Sequence, residues 1–92
     1  MPKLAPTAVA AALRHVPRWT KSGRSINRTY EFKDFPAAMK FVHAVARVAE
    51  KAWHYPDIDI RWNKVTLVFS THDEGGLTEK DFELASRCDA RA

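Results

Sequence analysis

Residues 57–69 read DIDIRWNKVTLVF. Ile58, Ile60 and Trp62 alternate with Asp57, Asp59 and Arg61; Val65, Leu67 and Phe69 then alternate with Thr66, Val68 and Ser70. A period of two is the pattern of strands with one buried face. Asn63-Lys64, between the two runs, can form a two-residue turn, although lysine is a poorer second residue there than glycine. That turn sets Trp62 against Val65, Ile60 against Leu67 and Ile58 against Phe69, and all six apolar side chains then share one face. The expectation is an antiparallel hairpin with an oily side that other elements must cover.

The flanking segments supply the cover. Ala38, Phe41, Val42, Val45, Ala49 and Ala52 recur at helical spacing, with Asp34 as N-cap and Pro36 in the first turn, so a helix should run to the neighbourhood of Trp53. His43, Arg47, Glu50 and His54 fall on its opposite edge. Upstream, Ile26, Tyr30 and Phe32 alternate with Asn27, Thr29 and Glu31 as a strand does, with Arg28 interrupting the apolar face. Trp19 begins a short extended segment that Ser22-Gly23 turns back. Pro6-Thr7 opens a first helix bearing Ala8, Ala12, Leu13 and Val16, which Pro17 stops. After the Gly75-Gly76 break, Thr78 is the N-cap of a last helix, Asp81 its capping-box partner, and Leu77 staples onto Phe82. The order α-β-β-α-β-β-α predicts an α+β fold: one four-stranded antiparallel sheet with three helices on one face.

The chain has 92 residues, which makes residues 1–92 a single domain. A chain this short buries only about 60% of its unfolded surface, so association with further copies is expected to help. Cys88 is the only cysteine, which excludes an internal disulfide and suits a reducing compartment. No run approaches the roughly 18 apolar residues of a membrane span, and the apolar stretch Ala8–Leu13 is too short for a signal peptide. A cytoplasmic protein with no membrane partner is expected. Residues 1–47 carry nine Lys or Arg against two acids, and residues 48–92 carry six against nine. The basic residues are dispersed singly, as on a solvated surface, and no nucleic-acid reader motif accompanies them.

Extending the hairpin pairing brings Tyr55 opposite His72, with His54 adjacent and Glu50 one helical turn before His54. Two imidazoles, a phenol and a carboxylate then gather where the long helix ends and the hairpin opens, and imidazole exchanges protons near neutral pH. Taken singly, His54 reads as a solvated helix end and Tyr55 as a packing residue; His15 and His43 are surface residues. One cysteine and no closely spaced ligand set exclude a standard zinc site. Phosphate-loop and serine-nucleophile motifs are absent.

At these positions the chain resembles the pterin-4a-carbinolamine dehydratases. That family's signature is an acid, three residues, His, then His or Asn, usually Pro, a short gap to an aromatic, nine residues, His, and a later Asp. Glu50, His54, Tyr55, Pro56, Trp62, His72 and Asp81 stand in those places. The strings RTYEFKDFPAAMKFVHAVARVAE (28–50) and WNKVTLVFSTHDEGGLTEKD (62–81) are similar to the family as well. Two positions depart from it: Tyr55 replaces the second histidine or asparagine, and Trp53 a residue that is commonly small and polar.

The resemblance implies dehydration of 4a-hydroxytetrahydropterin to quinonoid dihydropterin, in tetrahydropterin recycling, without metal or organic cofactor. It casts His54 and His72 as the catalytic acid and base, Glu50 as a group that orients His54, and Tyr55, Pro56, Trp62 and Asp81 as substrate-binding or orienting residues. Asp81 could equally serve only as a helix cap. The resemblance further implies a homodimer or homotetramer. Two other readings stand beside it. One is a weak or inactive relative acting as a protein-interaction or assembly factor, as some family members do. The other is a nucleic-acid module using Arg18, Lys21, Arg24 and Arg28, whose binding would fall steeply with salt.

Overall fold

The computed structural model describes residues 2–92 as α1 (Pro6–Leu13), β1 (Thr20–Ser22), β2 (Ser25–Glu31), α2 (Phe35–Ala52), β3 (Asp57–Arg61), β4 (Lys64–Phe69) and α3 (Glu79–Asp89), with a 3-10 turn over His72–Glu74. The four strands form the expected single antiparallel sheet, and their order across it is β1-β2-β4-β3. In α2 the Asp34 side chain accepts from the Ala37 N–H at 2.9 Å, and Pro36 sits where a missing N–H is harmless. The helix buries Ala38, Phe41, Val45, Val48 and Ala49, while His43, Arg47 and Glu50 face solvent. Of these, Ala38, Phe41, Val45 and Val48 meet Ile26, Tyr30, Val65, Leu67 and Phe69 of the sheet in one core. Among the described residues, no helix is long and apolar enough to cross a membrane.

The hairpin register differs from the expected one. Arg61 pairs with Lys64, Ile60 with Val65 and Ile58 with Leu67, so the turn is Trp62-Asn63 and the pairing slips by two residues. Side chains alternate with a period of two, so this slip leaves the paired residues on their expected side of the sheet, although Ile58 and Ile60 stay exposed on the edge strand. Asn63 decides the turn. It is buried, its Nδ2 donates to the Phe32 carbonyl at 2.7 Å, and its own carbonyl accepts from the Phe32 N–H at 2.9 Å. Trp62 is thereby pushed into the turn at φ 50, 66% exposed, and takes no part in the shared apolar face.

Arg28 does lie on the helix-covered face, directly opposite Leu67. Its charge is met there by Asp89 of α3, 2.8 Å away, and its guanidinium stacks 4.2 Å above the centre of the Tyr30 ring. The same carboxylate accepts from the Trp19 indole N–H at 3.0 and 3.1 Å and from the Tyr30 hydroxyl. Burial and this carboxylate drive the Tyr30 phenol far above its ordinary pKa. One acid at the end of α3 thus ties β2 and the segment before β1 to the last helix. Arg28 is accordingly not a free cation for a phosphate backbone.

Replacing Asp89 by Ala would leave a half-buried guanidinium, an indole N–H and a phenol without their partner. We expect Asp89→Ala to lose about 2–3 kcal/mol of unfolding free energy. Urea denaturation checks this, and a loss below about 0.5 kcal/mol would show that the cluster does not hold the helix, since substitutions away from such features stay within that range.

Candidate functional site

Helix α2 ends where its backbone turns left-handed. Trp53 adopts φ 51 and ψ 41, and the His54 N–H reaches back to the Ala49 carbonyl at 3.2 Å. Pro56 follows at once and prevents any return to helix. The reversal carries His54 off the Glu50 edge and into the protein, where its side chain is 12% exposed. Glu50 instead accepts from the Tyr55 hydroxyl at 3.1 Å. That hydrogen bond, with minor desolvation and the Glu50 charge, raises the Tyr55 pKa above its usual value. Tyr55 therefore remains a neutral phenol in the physiological range.

His54 lies parallel to the Phe69 ring, 6.0 Å between centres, and its Nε2 is 2.6 Å from Asp81 Oδ1. Asp81 is fully buried. Its Oδ2 accepts from the Thr78 N–H at 2.9 Å and from the Thr71 hydroxyl at 2.8 Å, and the Thr71 and Thr78 hydroxyls are 2.9 Å apart. Asp81 is thus the capping-box acid of α3 and the partner of His54 at once. The donors to Oδ2 leave Oδ1 to accept, which assigns the proton to His54 Nε2 and leaves Nδ1 as the basic nitrogen.

His72 opens the 3-10 turn after β4 and is exposed. A bridge between Thr71 and Gly76 closes the loop beneath it, and Gly75 supplies the left-handed residue (φ 75) that the closure requires. A depression of about 300 Å³ has His54, Tyr55, Thr71 and His72 in its wall. A second, of about 310 Å³, shares Tyr55, Ser70 and His72 with it and continues past Asp57 towards Arg24.

The structure therefore gathers Glu50, His54, Tyr55, His72 and Asp81, with Pro56 in the connecting segment. It does not gather Trp62, which sits at the closed end of the hairpin, about 16 Å along β3 from the open end. Thr71 and Phe69, which hold Asp81 and the His54 ring, carry no signal in the sequence, since one is an ordinary strand-end hydroxyl and the other an ordinary core aromatic. Cys88 offers no nucleophile: it is fully buried, and burial pushes its thiol up to about 12.

Asp81→Ala removes a helix cap and the partner of a mostly buried imidazole together. The expected loss is about 2–4 kcal/mol in urea unfolding. Thr78→Ala, which removes the cap hydroxyl alone, should cost only about 1 kcal/mol. Equal losses would mean that the His54 contact contributes nothing to stability.

A family model described as "Pterin 4 alpha carbinolamine dehydratase" matches residues 2–91 of the chain. A protein of Acidobacterium capsulatum, provisionally named a pterin-4-alpha-carbinolamine dehydratase, is 51% identical over 90 residues, which is 98% of each chain. A Nocardia farcinica protein of the same provisional name is 51% identical over 84 residues, covering 91% of this chain and 88% of its own. Among solved structures, the transcriptional coactivator/pterin dehydratase of Brucella melitensis superposes with a TM-score of 0.94 at 35% identity, over 98% of both chains. A pterin dehydratase-like RuBisCO assembly factor of the alpha-carboxysome shares the fold at TM-score 0.69 and 21% identity, over 82% of this chain and 87% of its own.

Proposed function

This chain belongs to the pterin 4 alpha carbinolamine dehydratase family, and we propose that it carries out the hydro-lyase reaction of that name, converting 4a-hydroxytetrahydropterin to quinonoid dihydropterin and water. The observation that supports this most directly is that His54 and His72 line one depression, with Asp81 fixed behind His54. The reaction needs a base for the ring proton and an acid for the departing hydroxyl. His54 accepts the ring proton at Nδ1 while the ring nitrogen's electron pair expels the 4a-hydroxyl, and Asp81 offsets the charge of the imidazolium that forms. His72, as imidazolium, protonates the oxygen, which departs as water. Being exposed, His72 regains its proton from solvent and His54 returns its own there, so each turnover leaves both unchanged.

Tyr55 stands where many relatives carry a second histidine. Its phenol, bound to Glu50, can hold the substrate but is a poor proton carrier at neutral pH. The role we assign it is binding, with turnover retained at a reduced rate. The reading places the protein in the cytoplasm, in tetrahydropterin recycling.

The decisive assay is the dehydration rate of 4a-hydroxytetrahydropterin by the purified protein. His54→Ala and His72→Ala should each lower kcat by about 10²- to 10⁴-fold, the usual contribution of a placed acid or base. Tyr55→His should raise it. Native protein no faster than the uncatalysed reaction, with activity appearing only in Tyr55→His, would sink the enzyme reading and favour a protein-interaction role, of the kind named by the coactivator half of the Brucella description.

Among the described residues nothing pairs with the outer edge of β3, and its Ile58 and Ile60 are 39% and 38% exposed. A second copy pairing along this edge would cover both residues and satisfy the free backbone groups. Light scattering should give a dimer or tetramer, and Ile58→Lys/Ile60→Lys should shift it towards monomer; a monomeric native protein would refute the association.

A further inference from the structure

Trp53 is placed at a disadvantage twice over. Its backbone is left-handed (φ 51, ψ 41) at the end of α2, a position where glycine is the usual residue and a bulky side chain is strained. Its indole is 82% exposed, so packing within the chain does not offset that strain. A strained, uncovered aromatic in a folded protein points to something outside the chain that makes use of it. Its surroundings say what. Trp53 lines the depression of about 300 Å³ that also holds His54, Tyr55 and His72. Trp62 shares the backbone feature (φ 50) and is 66% exposed, but it is not in the wall of this depression and lies at the far end of β3.

We propose that Trp53 is a positioning residue whose indole face stacks on the planar pterin ring and holds it against His54 and His72. This inference rests on the dehydratase reading above. A pterin is a flat conjugated bicycle, which an exposed indole can cover with one face while its polar edge stays free for hydrogen bonds. Stacking of bases on aromatic side chains in open nucleic-acid grooves follows the same physics. The left-handed turn serves this placement: it sends His54 inward and leaves the preceding side chain at the rim, so one backbone reversal sets both the proton acceptor and the stacking surface. Histidine chemistry is carried out by residues 54 and 72, and Trp53 acts on the substrate's position.

The test compares Trp53→Gly, Trp53→Leu and Trp53→Phe in the full chain, reading KM and kcat for the carbinolamine, Kd for a non-reactive 7,8-dihydropterin by calorimetry, Tm, and mass by light scattering. Glycine relieves the left-handed strain, so Tm should rise by a few degrees. Kd and KM should nevertheless rise about 3- to 10-fold, the range expected for losing one aromatic stack, with kcat changed less. Leucine keeps the strain and bulk without the π face and should lose affinity as glycine does; phenylalanine should restore most of it. Affinity unmoved in Trp53→Gly and Trp53→Leu, in a native protein that turns over, would overturn this inference and leave the dehydratase reading intact. So would a fall in oligomer mass with Kd unchanged, which would assign the indole to an interface between copies. A native chain that neither binds dihydropterin nor turns over the carbinolamine would remove both.

Discussion

The carboxylate of Asp81 is the point on which fold and site depend together. Buried without exposure, it is tolerable because both of its oxygens have donors: the Thr78 N–H and the Thr71 hydroxyl on Oδ2, and His54 Nε2 on Oδ1. Those three donors come from the N-cap of α3, the segment just after β4 and the segment after α2. A helix cap is usually a local device, but here it joins three elements, and the elements it joins carry the two histidines. Strength in the fold and orientation of the imidazole have one cause. The proton location on His54 follows from it, since a filled Oδ2 leaves Oδ1 to accept and so fixes the tautomer.

The second ionic centre does mechanical work of another kind. Asp89 lies in the last turn of α3, where the helix dipole disfavours an acid, and it is held there by Arg28, Trp19 and Tyr30. Arg28 would be a partly buried, unpaired charge without it. The pair clamps the far end of α3 to β2 while Asp81 fixes the near end, so the helix is pinned at both termini by carboxylates and along its middle by Phe82, Leu84, Ala85 and Cys88. With α3 held at both ends, the 71–76 loop that presents His72 is anchored on its C-terminal side by the helix and on its N-terminal side by β4.

Tyr55 and Trp53 stand at the rim of the site. The left-handed turn that ends α2 drives His54 inward, where Asp81 meets it. The rim carries a phenol tied to Glu50 and an exposed indole, so aromatic surface borders the mostly buried imidazole.

The periodicities by themselves determined the helices, the strands, their order along the chain and the buried faces of β2, α2, β4 and α3, because a period of 3.6 or 2 and the capping residues at Asp34 and Thr78 are local properties of the chain. They also placed His54, Tyr55 and His72 at one end of the hairpin. The turn at Trp62-Asn63 was decided by the tertiary structure, since Asn63 finds its partner at Phe32, 31 residues away, and period-two patterning is blind to a shift by two. Tertiary structure likewise gave Glu50 to Tyr55 and Asp81 to His54, because the left-handed Trp53 breaks the helical spacing on which the sequence argument relied. Trp62 was separated from the site by the same kind of reason: spacing along a chain fixes a residue's number, and only the path of the backbone fixes its neighbours.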